Sequence, residues 1–332
     1  TLSLHDALPI CTSYGYDAQA GLASLAHNLA GTAQDQTYGY TRNQAREIVA
    51  HSWSNDVYQW PVVGNVANGT KSYTANGLNQ YTAAAGATVH DHAADAVRHA
   101  DIAISLLESG PVVEQVLFSQ GAAQALRAGS LFIDMASIQP REARAHAEHL
   151  QAQGVACLDA PVSGGTVGAE AGTLAIMVGG HATDYERALP VFAALGRATH
   201  VGPHGAGQLA KLANQMIVGI TIGAVAEALL LAAKGGADMA KVREAISGGF
   251  ADSRILQLHG QRMVERDFAP RGRMAVQLKD MRNALATARE TGFDAPITAL
   301  FEALYAEGVD HGLGELDHSG LFVELASRNA MQ

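Results

Sequence analysis

The stretch SLFIDMASIQPREARAHAEHLQAQGVACLDAPVSGG, residues 130–165, decides the fold of this chain. Apolar residues dominate 130–137 and 155–162, which predicts two buried strands. Between them, residues 140–153 predict a helix that starts at a proline and stops at Gly154. A strand, a helix and a second strand in succession form a βαβ unit, so we expect an α/β domain with a largely parallel sheet.

The same alternation extends to both sides of this unit. We expect further strands over 101–107 and 173–178, and helices over 93–100, 111–118 and 184–195. A parallel sheet binds its ligands beyond the carboxyl ends of its strands. The segments that follow strands should therefore carry the function: Glu108-Ser109-Gly110, Ser137-Ile138 and Ser163-Gly164-Gly165.

After residue 206 the pattern is helical throughout. Residues 208–234 are apolar on nearly every side, which predicts a helix buried between domains or in an oligomer. Further helices are predicted near 238–247, 253–265, 274–291, 296–307 and 319–328.

The first 82 residues have a different composition. Both Trp and seven of the nine Tyr lie there, whereas all eight Phe lie at residue 118 or later. The segments YGYDAQAGLASL (14–25) and YGYTRNQAREIV (38–49) are similar, which predicts short hairpins of one repeat type. They resemble the YD repeats of the RHS family. We therefore divide the chain into a foreign or RHS-like segment (1–82), an α/β part (83–206) and an all-helical part (207–332).

Charge and composition exclude several classes of protein. Acidic residues outnumber basic ones by 32 to 22, which argues against a nucleic-acid partner. Two cysteines cannot form a disulfide framework, and histidines such as His90, His92 and His99 lack the accompanying ligands of a metal site. The start of the chain has no secretory signal, and the uncharged apolar run over 212–226 is too short to cross a bilayer. We expect a cytoplasmic protein without a membrane partner.

Two segments could carry chemistry at the sheet edge. In DAPVSGG (159–165) a strand ends in Ser-Gly-Gly, which offers backbone N–H groups and a hydroxyl to an anion; an ordinary glycine turn is the alternative. In GPHGAGQLAKLANQ (202–215), Lys211 lies in the first turn of the apolar helix and Asn214 follows one turn later. Burial would lower the pKa of Lys211 and suit it to general acid–base catalysis, whereas a snorkelling surface lysine is the alternative.

A third segment, VQLKDMRN (276–283), places Lys279 on a later helix. Lys279 could reach back to the cleft, or it could form a surface pair with Asp280. Within the second segment, Gly205-Ala206-Gly207-Gln208-Leu209-Ala210 matches the spacing G-x-G-x-x-A. We reject it as a dinucleotide loop because helices follow it, where a dinucleotide fold would have a second βαβ unit.

Together the three segments resemble the β-hydroxyacid dehydrogenase family, from about residue 84 to the C-terminus. The resemblance implies a Rossmann-type cofactor domain and a helical domain that builds a homodimer or a higher oligomer. It implies hydride transfer between NAD or NADP and a small carboxylate-bearing substrate, a 3-hydroxy acid or its semialdehyde. The implied site residues are Lys211 as catalytic acid/base, Ser163, Gly164, Gly165 and Asn214 for the substrate, and Leu107, Glu108, Ser137 and Lys279 for the cofactor.

One part of the family pattern is missing. The family opens with a strand and a G-x-G-x-x-G loop, and no such sequence occurs before Ala83, so the first βαβ unit is replaced. Loss of those strands would leave apolar sheet surface exposed. The alternative is therefore a chimeric, catalytically incompetent chain that acts only as a dimerising helical domain. The sequence does not separate NAD from NADP, and Lys-Leu-Ala-Asn-Gln (211–215) is closer to the tartronate semialdehyde reductase branch than to the 3-hydroxyisobutyrate branch.

Overall fold

A computed structural model describes residues 88–331 of the chain in full and, before them, the backbone of six strands. The chain divides into two compact units, Thr1–Ala96 and Val97–Gln332. The strands of the first unit are β1 (Cys11–Tyr16), β2 (Leu22–Asn28), β3 (Gln36–Arg42), β4 (Ile48–Trp53), β5 (Thr70–Ala75) and β6 (Tyr81–Ala84).

The strands of the first unit pair in chain order, each antiparallel to the next. Tyr14 is paired with Leu25 and Tyr38 with Trp53, so each of the two similar segments opens a hairpin. This pairing agrees with the hairpins that the repeats predict. The stretches between these strands, on which the repeat assignment also depends, lie outside the described residues.

The second unit begins with an alternation of strands and helices, and α1 (Ala93–Val97) leads into it. Its elements are β7 (Ile102–Ser105), α2 (Gly110–Glu114), α3 (Ala122–Ala125), β8 (Leu131–Asp134), α4 (Pro140–Gln151), β9 (Ala156–Asp159), β10 (Val162–Ser163), α5 (Gly165–Glu170), β11 (Leu174–Gly180), α6 (Ala182–Leu195) and β12 (Gly196–Gly202). A π-helical turn, Gln115–Ser119, continues α2. The predicted βαβ unit is β8–α4–β9.

The sheet is only partly parallel. Its order is β10-β11-β9-β8-β7, and β12 pairs with the other edge of β11. Strands β7, β8 and β9 are parallel, which places Ser105, Asp134 and Asp159 side by side at their carboxyl ends. Strand β11 is antiparallel to β9 and β10 and parallel to β12. The sequence did not predict β12, because GRATHVG has no buried apolar side to mark it as a strand.

Helices cover both faces of the sheet, as its alternating side chains require. Leu131 and Ile133 of β8 pack with Phe192 of α6 on one face. Phe132, between them, packs with Leu150 of α4 on the other face. At β7, the last described strand on its side, Ile104 exposes 47% of its surface and nearby Leu106 exposes 68%. These exposed side chains are apolar surface of the kind that the sequence predicts at this edge, where it indicates that the first strands are replaced.

The rest of the unit is helical, as predicted. Its helices are α7 (Ala206–Lys234), α8 (Met239–Ile246), α9 (Arg254–Glu265), α10 (Met274–Thr291), α11 (Pro296–Gly308) and α12 (Leu321–Arg328). A π-helical turn, Val309–Leu313, and a 3-10 turn, His318–Gly320, join α11 to α12. Each predicted helix in this part is present, with ends within two residues of the expected ones.

Helix α7 is the centre of the helical part. Ile222, Ala226 and Leu229 are buried in one core with Met281 and Tyr305 from α10 and α11. With 29 residues, α7 is long and apolar enough to cross a membrane by length and composition. The expectation that the apolar run is too short was therefore wrong, because the helix continues beyond 212–226 on both sides. The core helix of a soluble protein passes the same test, and the buried residues of α7 pack against neighbouring helices.

Candidate active site

The N-terminus of α7 is fixed by a carboxylate from the sheet. Asp159, at the end of β9, accepts hydrogen bonds from the backbone N–H of Gly205 at 2.8 Å and of Gln208 at 2.9 Å. These are N–H groups that a helix start leaves without partners. Burial raises the pKa of Asp159, and these two hydrogen bonds oppose that rise. The contact joins the DAPVSGG segment to the helix that carries Lys211.

Gln208 makes a second connection to the sheet. Its side chain is fully buried; Nε2 donates to the Ala136 carbonyl at 2.8 Å, and Oε1 accepts from the Ile138 N–H at 3.1 Å. The loop that carries Ser137 is therefore held directly against α7. Neither Asp159 nor Gln208 was predicted from the sequence to have a role at the site. A carboxylate at a strand end and a glutamine in the first turn of an apolar helix were the available signals.

Lys211 is half-buried and held at two points. Its Nζ donates to the Val162 carbonyl at 2.8 Å and to Gln215 Oε1 at 3.1 Å. Burial lowers the pKa of Lys211; Asp280 opposes this effect and Lys279 adds to it. Because α7 begins at Ala206, Lys211 lies in its second turn. The predicted placement in the first turn was wrong, and the helix dipole, which acts within the first turn, contributes less than expected.

The predicted carboxylate-binding segment lies beside this amine. The Val162 carbonyl that accepts from Lys211 directly precedes Ser163. Gly164 and Gly165 follow with φ angles of 141° and 61°, in the region that favours glycine, and both are exposed. Backbone without side chains is thus open to solvent next to Lys211, an arrangement that admits a small anion.

Lys211 and Asn214 both donate a hydrogen bond to the side-chain oxygen of Gln215. Asn214 Nδ2 donates to Gln215 Oε1 at 2.8 Å, so Asn214 approaches Lys211 through a shared acceptor. Gln215, which sequence analysis did not assign, also donates from Nε2 to Asp280 Oδ2 at 2.7 Å and to Gln277 Oε1 at 3.2 Å. A buried polar network therefore runs from Lys211 to α10.

Three of the four predicted cofactor residues come together at the carboxyl ends of β7 and β8. Lys279 Nζ donates to the Ser137 carbonyl at 2.9 Å and to the Glu108 carbonyl at 3.1 Å. It also lies 3.2 Å from Asp280 Oδ1, but this carboxylate is buried, so the pair is not the surface pair that the sequence offered as the alternative. Ser137 Oγ donates to the same carboxylate at 3.0 Å. Leu107 is half-buried against the core between the sheet and α4.

These residues fit one end of a nicotinamide cofactor. Loops after two parallel strands meet a lysine from α10 at the edge where α/β sheets bind dinucleotides. Residues 88–331 contain no strand, G-x-G-x-x-G loop and helix in succession, which would hold the diphosphate. Among the described residues the fit is therefore limited to this edge of the sheet, which the resemblance predicts to hold the nicotinamide end.

A cluster of possible metal ligands occurs elsewhere, at His259, Asp317 and His318. Arg262 donates to both Asp317 oxygens, at 3.0 and 3.1 Å, and Ser319 Oγ donates to one of them. Although burial opposes it, hydrogen bonds from His259 and Ser319 and the nearby charges hold the pKa of Asp317 well below its usual range. The carboxylate is already saturated and neutralised by arginine, so this donor set suits an ion pair better than a metal.

Two families of known proteins match successive segments of the chain. Residues 59–202 match the family described as the NAD binding domain of 6-phosphogluconate dehydrogenase. Residues 205–325 match the family described as NAD-binding of NADP-dependent 3-hydroxyisobutyrate dehydrogenase. The two matches meet at the start of α7, and the first begins inside the segment that the sequence assigned to repeats.

Individual relatives match most of this chain and most of their own length. The 2-hydroxy-3-oxopropionate reductase of Escherichia coli (strain K12) is 44% identical, over 71% of this chain and 82% of its own length. The 3-hydroxyisobutyrate dehydrogenase of Pseudomonas aeruginosa is 37% identical, over 71% of this chain and 81% of its own. The structure of Mycobacterium tuberculosis 3-hydroxyisobutyrate dehydrogenase superposes with a TM-score of 0.65 at 33% identity, covering 71% of this chain and 83% of that one. The chain belongs to the β-hydroxyacid dehydrogenase family of NAD(P)-dependent oxidoreductases.

Proposed function

We propose that this chain reduces a small semialdehyde acid to its 3-hydroxy acid, or runs the reverse oxidation, with 2-hydroxy-3-oxopropionate as the first substrate to test. The Escherichia coli relative is named for that substrate, and the branch comparison of residues 211–215 favours the same choice. The observation that carries the proposal is the half-buried amine of Lys211, held beside the half-buried Ser163 and the exposed Gly164 and Gly165.

Lys211 is the proton donor and acceptor in this proposal. An ammonium group has three N–H donors, and Val162 and Gln215 accept from it, which leaves a third for a substrate oxygen. When bound, the nicotinamide supplies or accepts the hydride. During reduction, Lys211 gives its proton to the carbonyl oxygen; during oxidation, the neutral amine takes the hydroxyl proton. Burial lowers the pKa of Lys211, which makes the neutral amine more accessible near neutral pH.

The other predicted residues bind and orient the reactants. The Ser163 hydroxyl and the backbone N–H groups of Gly164 and Gly165 hold the substrate carboxylate, and Asn214 positions the substrate beside Lys211. The residues that hold NAD or NADP at its nicotinamide end are Leu107, Glu108, Ser137 and Lys279.

Lys211→Ala tests this assignment in the full chain. We expect turnover of 2-hydroxy-3-oxopropionate with NADH or NADPH to fall by roughly 10²- to 10⁴-fold, the usual contribution of a general acid–base group. Lys234→Ala is the matched control, because Lys234 ends the same helix and, among the described residues, its amine donates to the surface carbonyl of Asn329. Retained turnover in Lys211→Ala would remove Lys211 from the mechanism.

The relatives do not favour the alternative of an incompetent, merely dimerising chain, because they are named as reductases and dehydrogenases. Equilibrium binding of NADH and NADPH to the purified chain separates the two possibilities. Binding is expected; its failure for both cofactors would support the alternative for this chain while leaving the family assignment intact.

We place the enzyme in the cytoplasm, as a homodimer or higher homo-oligomer, without a nucleic-acid or membrane partner. Ile217 and Leu231 of α7 expose 67% and 73% of their surface, which supports burial against a second copy. We retain the division into a segment of 1–82, a partial cofactor domain of 83–206 and a helical domain of 207–332.

A further inference from the structure

Gln215 links the catalytic lysine to a buried carboxylate. Its side chain is 8% exposed. On one side, Oε1 accepts from Lys211 Nζ at 3.1 Å and from Asn214 Nδ2 at 2.8 Å. On the other side, Nε2 donates to Asp280 Oδ2 at 2.7 Å and to Gln277 Oε1 at 3.2 Å. All four contacts match the amide's donors and acceptor.

The amide can satisfy its neighbours in only one orientation. An ionised carboxylate accepts hydrogen bonds and donates none, so Asp280 requires the Nε2 side. Gln277 requires the same side, because its own Nε2 donates to the Gln215 backbone carbonyl at 3.0 Å and its Oε1 faces Gln215. A flipped amide would present hydrogens to the Lys211 ammonium, which only donates, and an oxygen to the Asp280 carboxylate, which only accepts. Oε1 therefore faces Lys211 by necessity.

Asp280 is itself fixed by its surroundings. It is 1% exposed, and it accepts from Ser137 Oγ at 3.0 Å and lies 3.2 Å from Lys279 Nζ. Both of these groups stand at the predicted nicotinamide end. The orientation of Gln215 is thus set from the cofactor side of the cleft and transmitted to Lys211 on the substrate side.

We propose that Gln215 is a positioning residue, which holds the Lys211 amine against Val162 and so fixes where Lys211 exchanges its proton with substrate. This inference rests on the proposed function of Lys211. The charged groups that face Lys211 are Asp280 and Lys279 on α10 and, more remotely, His318 in the 3-10 turn. Burial lowers the pKa of His318 to about 4, so His318 is neutral near pH 7 and adds no charge there.

Two variants of Gln215 separate positioning from packing. Gln215→Met keeps the length of the side chain and removes the acceptor, so Lys211 loses a hydrogen bond that favours its charged form and its pKa should fall further. Gln215→Glu keeps an oxygen facing Lys211 in either protonation state, so the pKa of Lys211 should not fall. Gln153→Met, at an exposed glutamine after α4, is the matched control.

Two measurements are made on each full-length variant. Competitive labelling with acetic anhydride, followed by peptide mass spectrometry, gives the pH at which Lys211 titrates without any turnover, and Lys234 serves as the internal reference. The pH profile of kcat for 2-hydroxy-3-oxopropionate gives the catalytic consequence. In Gln215→Met we expect kcat to fall by roughly a hundredfold, the scale of a misplacement of about 1 Å, with a smaller loss in Gln215→Glu and none in Gln153→Met.

The outcomes are distinct. An unchanged Lys211 titration in Gln215→Met, or a lowered one in Gln215→Glu, overturns the inference. A lowered titration in Gln215→Met alone, together with an equal shift in the kcat profile, supports both the inference and the role of Lys211. A lowered titration with an unmoved kcat profile supports the hold of Gln215 on the amine and overturns Lys211 as the proton donor.

Discussion

Asp134→Asn should remove a loss of stability that the native protein suffers as the pH rises. Asp134 ends β8 and is 3% exposed. Its Oδ1 accepts from Ser105 Oγ at 2.7 Å and from the Ala136 N–H at 3.0 Å, whereas its buried Oδ2 has no hydrogen-bond partner among the described residues. Burial raises the pKa of Asp134 from 3.8 to about 6, against these two hydrogen bonds and with help from Asp159 and Glu142.

The magnitude follows from the two pKa values. Between pH 3.8 and about 6 the folded chain holds a proton that the unfolded chain has released, so stability is full below 3.8 and falls as the pH rises through 6. Each pH unit of difference corresponds to roughly 1.4 kcal/mol, which gives about 3 kcal/mol in total. About 2 kcal/mol of this falls between pH 4.5 and pH 7.5. Asparagine cannot ionise, so the variant should lack this slope.

Urea unfolding at several pH values measures the effect. Circular dichroism at 222 nm is the suitable signal, because both tryptophans lie before residue 61 and the described helices from α2 onward lie in the second unit. The stability of Asp134→Asn relative to the native chain should rise by about 2 kcal/mol from pH 4.5 to pH 7.5. A hydrogen-bond defect from the new amide would add a constant offset only. Asp294→Asn, at an exposed carboxylate, is the control. Parallel profiles for Asp134→Asn and the native chain would refute the reasoning.

Two further substitutions test the packing of the helical part. Asp317→Asn removes a fully buried negative charge, whose two carboxylate oxygens both accept from Arg262. The substitution should lower the free energy of unfolding by about 3–5 kcal/mol. A loss below about 1 kcal/mol in urea unfolding would contradict the buried ion pair. Gly207→Ala would place a Cβ 2.5 Å from the carbonyl oxygens of Asp159 and Met177, and should cost about 1–3 kcal/mol. An unchanged thermal midpoint for Gly207→Ala would mean that α7 is not pressed against the sheet there.

The elements of the second unit were largely predictable from local sequence. Proline at a helix start, glycine at a helix end and apolar runs between them placed α4, β9 and α10, because these signals act over a few residues. The order and direction of the strands were less accessible. Strand β11 is antiparallel to β9, and β12 pairs only with β11 among the described strands. Such pairing depends on contacts between residues far apart in the sequence, which a local pattern does not contain.

The site was predictable in its chemistry and less so in its connections. Lys211 and Lys279 stand out because a lysine in an apolar or cleft-facing segment needs a partner. The partners themselves are backbone carbonyls at Val162, Ser137 and Glu108, which any residue type would supply. Gln215 gave no signal either, since a glutamine beside an asparagine on a helix is commonplace until its four neighbours are known.

The match of residues 205–210 to a dinucleotide loop has a physical explanation in the packing of α7. A Cβ on Gly207 would meet the backbone of Asp159 and Met177, and the Asp159 carboxylate receives the N–H groups of Gly205 and Gln208. The glycine spacing therefore lets the start of α7 lie directly against the backbone of β9 and β11. In a dinucleotide loop the same spacing lets a diphosphate approach backbone N–H groups; here an internal carboxylate takes the place of the anion. Lys211 follows one turn after that contact, so the glycines help to fix where its amine stands, and the proposed mechanism requires that amine to face the substrate.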